Sequence, residues 1–279
     1  SGAMRRASSS VLSAATEWST SSSRVPFQSQ TTCRIIETVP STQAEMGTTT
    51  AARRIMPRMS PSLTPGKTRL LHILAALTLS LAFWAPAFLS PSATGFGDWQ
   101  MVHHNWEVGY VALTRFSEWP LWNPFFCGGI PMFGNPEAQH FSPLFALGLL
   151  FGTTLGTKLF LVLHAAAGAY GAYLLARERL ALGPSASVVA SLIFACSGFF
   201  AWHGAGGHAT FLPFYFAPWL LLWFWRAQSD LRYGLSVALL LALTLYEGGT
   251  YPFPYFALLL ACDALTQLGS AKRAVATAR

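Results

Sequence analysis

The stretch GFGDWQMVHHNWEVGYVALTRFSEWPLWNPFFCGGIPMFGNPEAQHFSP, residues 95–143, decides how the rest of the chain is interpreted. Apolar runs lie on both sides of it, and it holds four of the acidic residues, three of the seven histidines and five of the prolines. Loops longer than about 12–15 residues are usually functional or disordered, and this one is too aromatic to be disordered. We therefore expect residues 95–143 to form the working surface of the protein.

The composition indicates an integral membrane protein. Of 279 residues, 52% are apolar and only 10% are charged, whereas soluble domains average about 25% charged residues. The net charge of +7 does not indicate nucleic-acid binding, because the basic residues lie at the ends of apolar runs rather than in one patch. We interpret them as signals of membrane topology.

Six apolar runs are expected to cross the membrane, since about 20 apolar residues span a bilayer as a helix. They are residues 70–89, 159–175, 186–202, 211–225, 233–246 and 253–265. Residues 144–151 are too short to cross and are expected to lie in the interface or to form a re-entrant segment. The predicted fold is all-α, a polytopic membrane helical bundle of six spans with a structured first extracytoplasmic loop.

The chain divides into three predicted regions. Residues 1–64 are rich in Ser and Thr without apolar periodicity, which predicts a disordered tail. Residues 65–268 form the transmembrane bundle, including the extracytoplasmic loop 90–143, and residues 269–279 form a cytoplasmic tail. With a cytoplasmic N-terminus, every Lys and Arg from Arg53 onward lies inside except Arg115 and Lys158, as the positive-inside rule requires. We expect a multi-pass protein of the cell (inner) membrane.

The cysteines do not indicate a disulfide framework. The four of them share no CxxC spacing, and only Cys127 falls in the long loop, so no intramolecular disulfide is expected. Cys127 itself is expected to pack as an apolar residue.

The first part of the loop predicts a helix over residues 98–115. Asp98 is placed to cap its N-terminus. Its polar residues lie away from one apolar face, a pattern typical of a helix lying in the membrane interface. That face is formed by Trp99, Val102, Trp106, Tyr110 and Leu113.

The second part of the loop is expected to be compact and irregular. Its prolines forbid a long helix, and the Asn123-Pro124 and Asn135-Pro136 pairs predict turns. The glycines are expected to let the backbone approach another group closely; they are Gly128, Gly129 and Gly134.

Three sequence stretches resemble YfhO-like bacterial membrane proteins of the GT-C glycosyltransferase superfamily. They are GDW at 97–99, PLWNPFFCGGIPMFGNPEAQHFSP at 120–143 and SGFFAWHGAGGHATFLPFYFAPWLLL at 197–222. The resemblance, over residues 67–268, implies transfer of a sugar from a polyprenyl-phosphate donor to an acceptor glycan or polymer at the extracytoplasmic face. It also implies that the acid of the first outer loop, here Asp98, is catalytic. Members are usually longer, so we expect this chain to be an N-terminal portion.

The resemblance is incomplete at the catalytic position. Many members carry adjacent acids there, whereas Trp99 follows Asp98 here, which puts metal binding by a carboxylate pair in doubt. His103, His104 and Glu107 form an alternative ligand set for a metal ion, although a solvated helix face explains them better. No cofactor is assigned, and a divalent cation assisting the phosphate stays an open alternative.

Further substrate-binding candidates lie in the loop and in the outer turns. They are Glu107, Glu137, His140, His203, His208 and Glu247. The alternative for Glu137 and His140 is a structural role, in a turn or at the membrane interface. His203 and His208 flank a glycine-rich turn that permits close approach to a phosphate, with anchoring in the interface as the alternative. Glu247 is interpreted either as a substrate ligand or as an ordinary acid at a helix end.

Two functions without chemistry rival the transferase. A transporter or lipid-handling protein requires ionisable residues near the bilayer midplane and repeated halves, and the spans show few such residues and no convincing repeat. A scaffold that binds its partner through the aromatic loop is the other alternative. Membrane lipids are expected partners in every case.

Overall fold

The computed structural model describes residues 66–277, so the predicted tail 1–64 lies outside the described residues. The described chain is mostly helical, in agreement with the predicted all-α class. The longer helices are α1 (Gly66–Phe83), α3 (Trp99–Val111), α5 (Thr153–Glu178), α6 (Pro184–Ala195), α7 (Gly198–Gly206), α8 (Ala217–Ala227), α9 (Arg232–Tyr246) and α10 (Pro252–Thr277). Two short helices are α2 (Ala85–Phe88) and α4 (Ala146–Phe151).

Helix α5 is the central element, and it packs against α1, α4, α6 and α8. Small residues on its surface make this close packing feasible. A Cβ atom at Gly168 would lie 2.4 Å from the Tyr215 ring, and one at Gly171 would lie 2.6 Å from the indole of Trp219. Aromatic side chains from the segment 209–227 therefore contact the α5 backbone directly, a mode of packing typical of membrane helices.

Two helices between residues 66 and 277 are long and apolar enough to cross a membrane: Thr153–Glu178 and Pro184–Gly206. The second is made of α6 and α7, which are separated at Cys196–Ser197. Only 22% of its apolar window is buried, against 56% for α5, so α5 is the inner helix and α6–α7 an outer one. The other predicted spans are helical but shorter or less apolar, and the six-span bundle stays a prediction.

The predicted helix at 98–115 is present as α3 followed by a π-helical turn, Ala112–Phe116. Its apolar face is buried: Trp99, Val102 and Trp106 are 2%, 6% and 0% exposed and belong to the main core. The interface placement predicted for this face is therefore wrong. An apolar stripe requires burial, but it does not specify whether lipid or protein covers it, and here the helical bundle does.

The remainder of the loop is compact, as predicted, and contains a two-stranded hairpin, β1 (Trp122–Asn123) with β2 (Ile130–Pro131). Both predicted Asn-Pro turns are confirmed by the same local hydrogen bond. The Phe125 N–H donates to Asn123 Oδ1 at 2.9 Å, and the Glu137 N–H donates to Asn135 Oδ1 at 3.0 Å. The expected close approach is present at Gly129, where a Cβ atom would lie 2.4 Å from the Trp122 ring. It is absent at Gly128 and Gly134, where a Cβ atom would have no described neighbour within 4 Å.

Two smaller expectations differ from the structure. Cys127 is exposed and has φ +48°, so it does not pack as a buried apolar residue. Helix α10 continues to Thr277, so most of the predicted tail 269–279 is helical. The short run 144–151 forms a 3-10 turn, Pro143–Phe145, and helix α4.

Candidate functional site

Asp98 and His208 are brought together by two glycine-rich segments that pack backbone to backbone. The Phe96 N–H donates to the Ala205 carbonyl at 3.0 Å, and the Asp98 N–H donates to the Gly206 carbonyl at 2.9 Å. The Trp99 indole also donates to the Gly204 carbonyl at 2.7 Å. Residues 95–99 are thereby attached to the end of α7, over 100 positions along the chain.

The glycines in this contact are required because no side chain fits between the segments. A Cβ atom at Gly207, which has φ +83°, would lie 2.2 Å from the Trp99 nitrogen. A Cβ atom at Gly95 would lie 2.4 Å from the Ala205 carbonyl oxygen. The interpretation of Gly204–Gly207 as room for a phosphate is thus corrected, since the space is filled by the protein's own backbone.

Asp98 lies beside a pair of contacting histidines. Its Oδ2 atom is 3.7 Å from His208 Nε2, and its side chain is 71% exposed. His208 Nδ1 is 2.8 Å from His203 Nδ1. Although Asp98 occupies the N-cap position of α3, its side chain makes no capping hydrogen bond, so the predicted capping role is wrong. The carboxylate is available to solvent or to a ligand.

A neutral imidazole has one N–H donor and one acceptor nitrogen, which limits where the protons of His203 and His208 can lie. In the neutral arrangement that serves both contacts, His203 Nδ1–H donates to His208 Nδ1. The remaining His208 proton is then on Nε2, directed toward Asp98. We call Asp98, His203 and His208 the acid–histidine row.

An apolar groove of about 890 Å³ adjoins this row. The ring of His203 stacks on Phe211, with centroids 4.0 Å apart and planes 7° apart. Phe211 is also part of the groove wall. The groove lies between α6, α7, the 3-10 segment Ala209–Phe216 and α10, and its lining includes Ile193, Phe199, Phe211, Phe214 and Tyr255. The imidazole pair therefore lies at an edge of an apolar surface.

The sequence did not identify these groove residues as functional, since apolar residues in a span are ordinarily packing residues. The signal that was available is the density of aromatic side chains in residues 199–216. An exposed aromatic cluster can mark a binding surface, but its exposure is known only from the structure.

A second pocket, of about 520 Å³, lies on the polar face of α3 and contains His103, His104 and Glu107. Their side chains bind separate partners. His103 Nε2 lies 3.0 Å from Thr94 Oγ1, Asn123 Nδ2 donates to His104 Nε2 at 2.9 Å, and Thr153 Oγ1 donates to Glu107 Oε2 at 2.9 Å. Among the described residues, no group of three or more His, Cys, Asp or Glu side chains is placed to hold a metal ion. The proposed ligand set on α3 therefore does not fit a metal.

His140 has a structural position. It is 4% exposed, and its Nε2 donates to the Asn105 carbonyl at 2.8 Å. Burial lowers the pKa of His140, and hydrogen bonds to the Asn105 and Pro120 carbonyls partly offset that effect. Glu137 lies in an exposed 3-10 turn, where its carbonyl accepts from Asn105 Nδ2 at 3.3 Å. Neither residue is placed in the acid–histidine row.

Glu247 is fully buried, so its predicted role as a substrate ligand is corrected. Its Oε2 atom is 2.5 Å from His164 Nε2, and both side chains are 0% exposed. Ser142 Oγ donates to Glu247 Oε1 at 3.1 Å, and Gln139 Nε2 donates to the Glu247 carbonyl at 2.8 Å. The carboxylate thus attaches the end of the long loop to α5. His164 thus has a structural role inside the core.

No protein-family model matches this chain, and neither does any curated protein or solved structure. The functional assignment therefore depends on the residues and geometry of this chain alone.

Proposed function

We propose that this protein is a membrane glycosyltransferase of the GT-C type, which transfers a sugar from a polyprenyl-phosphate donor at the extracytoplasmic face. The observation that carries the proposal is the contact between the apolar groove and the acid–histidine row through Phe211. A lipid-linked sugar has a long apolar chain joined to an anionic phosphate. A groove that ends beside imidazoles and a solvent-accessible carboxylate matches both parts.

The membrane setting is supported by apolar side chains on the outside of several helices. Leu71 on α1, Ile193 on α6 and Leu235 on α9 are 66%, 70% and 65% exposed. Such faces are unfavourable in water at about 25 cal/mol per Å², and lipid would cover them. Helices α6 and α9 are short for a full crossing of the membrane. The proposed six-span bundle therefore requires consecutive short helices to form one span together, as α6 and α7 do.

The aromatic loop supports an extracytoplasmic position at the lipid boundary. Trp119, Trp122 and Phe133 are 48%, 54% and 68% exposed, and aromatic side chains favour the depth of the headgroups. Together with the distribution of Lys and Arg, this supports the proposal that the acid–histidine row lies where the sugar of a lipid-linked donor would be. The proposed location is the cell (inner) membrane, with a cytoplasmic N-terminus.

In the proposed reaction Asp98 is the general base. It removes the proton of an acceptor hydroxyl, whose oxygen forms a bond to the anomeric carbon of the donor sugar. The bond between that carbon and the phosphate oxygen breaks, and polyprenyl phosphate leaves with the electron pair. His208 donates its Nε2–H toward this developing charge, and His203, whose Nδ1–H is donated to His208 Nδ1, holds that ring in place. A single displacement inverts the anomeric centre.

The described residues do not fit a resident divalent cation at this row. Asp98 contributes one carboxylate, and His203 and His208 contact each other. Among the described residues, no three such side chains converge on a point where a metal ion could bind. Imidazole is also a softer ligand than the oxygen donors that Mg²⁺ prefers. The proposed mechanism therefore uses protein groups alone.

Sugar transfer in proteoliposomes tests the proposal directly. The full chain is supplied with a polyprenyl-phosphate sugar, and product is measured for the unchanged protein, Asp98→Asn and the control Glu118→Gln, an exposed acid of the same loop. Loss of a positioned general base costs about 10²–10⁴-fold in rate, so Asp98→Asn should lose at least the lower figure and Glu118→Gln little. Equal turnover of all three forms would contradict the role of Asp98.

A lipid-handling function is the alternative that the groove itself favours. It requires binding of polyprenyl phosphate but no chemistry at Asp98. Photocrosslinking of the lipid to residues of the groove, without sugar transfer from any donor tested, would select this alternative over the transferase.

A further inference from the structure

The pocket on the polar face of α3 is a separate feature from the groove. Its walls are residues 92–97, one side of α3 and the start of α5, and we call it the α3 pocket. Gly97 and Trp99 belong to its lining and flank Asp98 in the chain. The pocket is therefore lined by the two chain neighbours of the proposed general base, although Asp98 itself is not in the lining.

The polar groups of the α3 pocket are held in place yet keep unused hydrogen-bonding atoms. His103 and His104 each use Nε2 for a protein partner, and Glu107 uses Oε2. Among the side chains that the structure describes, none forms a hydrogen bond with their second polar atoms or with the side-chain amide of Gln100. The pocket thus offers both donors and acceptors, and hydrogen bonds to the protein orient three of these side chains, His103, His104 and Glu107, whereas Gln100 is exposed.

The charge of the α3 pocket disfavours an anionic ligand. Burial lowers the pKa of His103, and the positive charge of Lys158 lowers it further, which favours the neutral imidazole at neutral pH. The lining contains the carboxylate of Glu107 and no Lys or Arg. A phosphate or carboxylate would meet repulsion from Glu107, offset in part by Lys158, which acts on His103 from outside the lining, whereas a neutral ligand would not meet this repulsion.

The pocket also has apolar surface of the kind that packs on the C–H face of a sugar ring. Phe96 lines it and is 61% exposed, whereas Trp99, also in the lining, is only 2% exposed and contributes little accessible surface. A sugar hydroxyl both donates and accepts a hydrogen bond, so a mixed set of amide, carboxylate and imidazole atoms suits it. The volume of about 520 Å³ is in the range of small-molecule sites.

We infer that the α3 pocket binds a neutral saccharide, with Gln100 and Glu107 as its main hydrogen-bonding residues. In the context of the proposed transferase this saccharide is the acceptor, whose hydroxyl reaches Asp98 across the turn at Gly97. The acceptor role rests on the proposed function. The inference that a saccharide binds depends only on the lining and volume of the α3 pocket.

Saturation-transfer NMR with the full chain in detergent tests the binding without requiring sugar transfer. The probes are the methyl glycosides of glucose, galactose, mannose and N-acetylglucosamine, and methyl glucuronide serves as the anionic comparison. We expect saturation transfer to at least one neutral glycoside and weaker transfer to the glucuronide. Each lost hydrogen bond should weaken binding about fivefold to tenfold, so Gln100→Ala and Glu107→Gln are expected to raise Kd by that factor.

The controls separate this inference from the proposed function. Glu118→Gln, outside the pocket, and Asp98→Asn, beside it, should retain binding, and thermal melting must show that each variant is folded. Binding that persists in Asp98→Asn without sugar transfer by any form would support the pocket and contradict the transferase. No saturation of any neutral glycoside, or unchanged binding in the Gln100→Ala/Glu107→Gln double variant, would overturn the inference.

Discussion

At the scale of residues, the most constrained pair is His164 with Glu247. Both side chains are fully buried, where an isolated charge is costly. His164 Nδ1 is 2.9 Å from the Phe160 carbonyl and therefore donates to it. The contact between His164 Nε2 and Glu247 Oε2 then contains one proton, both in an ion pair and in a pair of neutral groups. Ser142 completes the hydrogen bonding of the carboxylate.

Removing one member of this pair is predicted to destabilise the fold strongly. Glu247→Ala leaves His164 Nε2 and Ser142 Oγ without their partner in the core, and breaking a buried pair costs about 3–5 kcal/mol. Thermal unfolding in detergent should show a clear decrease in Tm. The matched change Glu118→Ala, at an exposed acid, should stay within about 0.5 kcal/mol of the unchanged protein. Equal effects would contradict the pairing.

His140 predicts a pH dependence of the loop's attachment. Because burial lowers the pKa of His140 in the folded state, the unfolded chain binds the proton more readily. Stability is therefore highest above the ordinary pKa of about 6.5 and falls as the pH decreases from there toward the folded-state pKa. Hydrogen exchange of residues 136–145 should accelerate on acidification through this window.

The variant His140→Gln keeps a donor for the Asn105 carbonyl but does not titrate. It should flatten the pH dependence of exchange in this segment. His103, whose pKa burial also lowers, should leave a residual dependence near Thr94. An unchanged slope in His140→Gln would exclude His140 as its source.

At the scale of elements, the contact between residues 95–99 and the end of α7 determines where Asp98 lies. It consists of backbone hydrogen bonds to Ala205 and Gly206 and of the Trp99 indole bond to Gly204. Such a contact is available only where neither segment has a side chain in the way. The two glycine clusters therefore function as one structural unit, although they are far apart in the chain.

Gly207→Ala is predicted to separate these segments and to impair the site. The left-handed φ costs about 1–2 kcal/mol for a residue with a Cβ atom, and the 2.2 Å approach to the Trp99 nitrogen adds a clash with backbone that cannot rotate away. We expect a lower Tm and a fall in any activity that requires Asp98. Gly206→Ala is the matched control, because its Cβ atom would make an ordinary 3.6 Å contact with His208. A similar loss in both variants would contradict this account.

At the scale of the whole molecule, the proposal requires residues 95–143 to face the cell exterior. Cys127 is exposed in that loop, and Cys33 lies in the segment predicted to be cytoplasmic. Treating intact cells with a membrane-impermeant maleimide should label Cys127, whereas Cys33 should react only after permeabilisation. Cys127→Ser and Cys33→Ser identify the two signals. Labelling in the reverse order would exclude both the orientation and the proposed extracytoplasmic site.

The sequence by itself determined the local structure and the broad class. Apolar content indicated a mostly helical chain, of which two described helices are long and apolar enough to cross a membrane, and the period of Trp99, Val102 and Trp106 predicted α3. The Asn-Pro pairs predicted two turns. These features are set by interactions between residues a few positions apart, or by composition, and both can be read along the chain.

Only the tertiary structure decided which distant residues meet. Asp98 lies beside His208, and His164 pairs with Glu247, because helices pack at particular angles and glycines allow particular approaches. Neither condition leaves a local pattern in the sequence. For the same reason we predicted lipid next to the apolar face of α3 and a substrate as one possible partner of Glu247. Hydrophobicity and charge indicate that a residue needs a partner, but packing determines which partner it obtains.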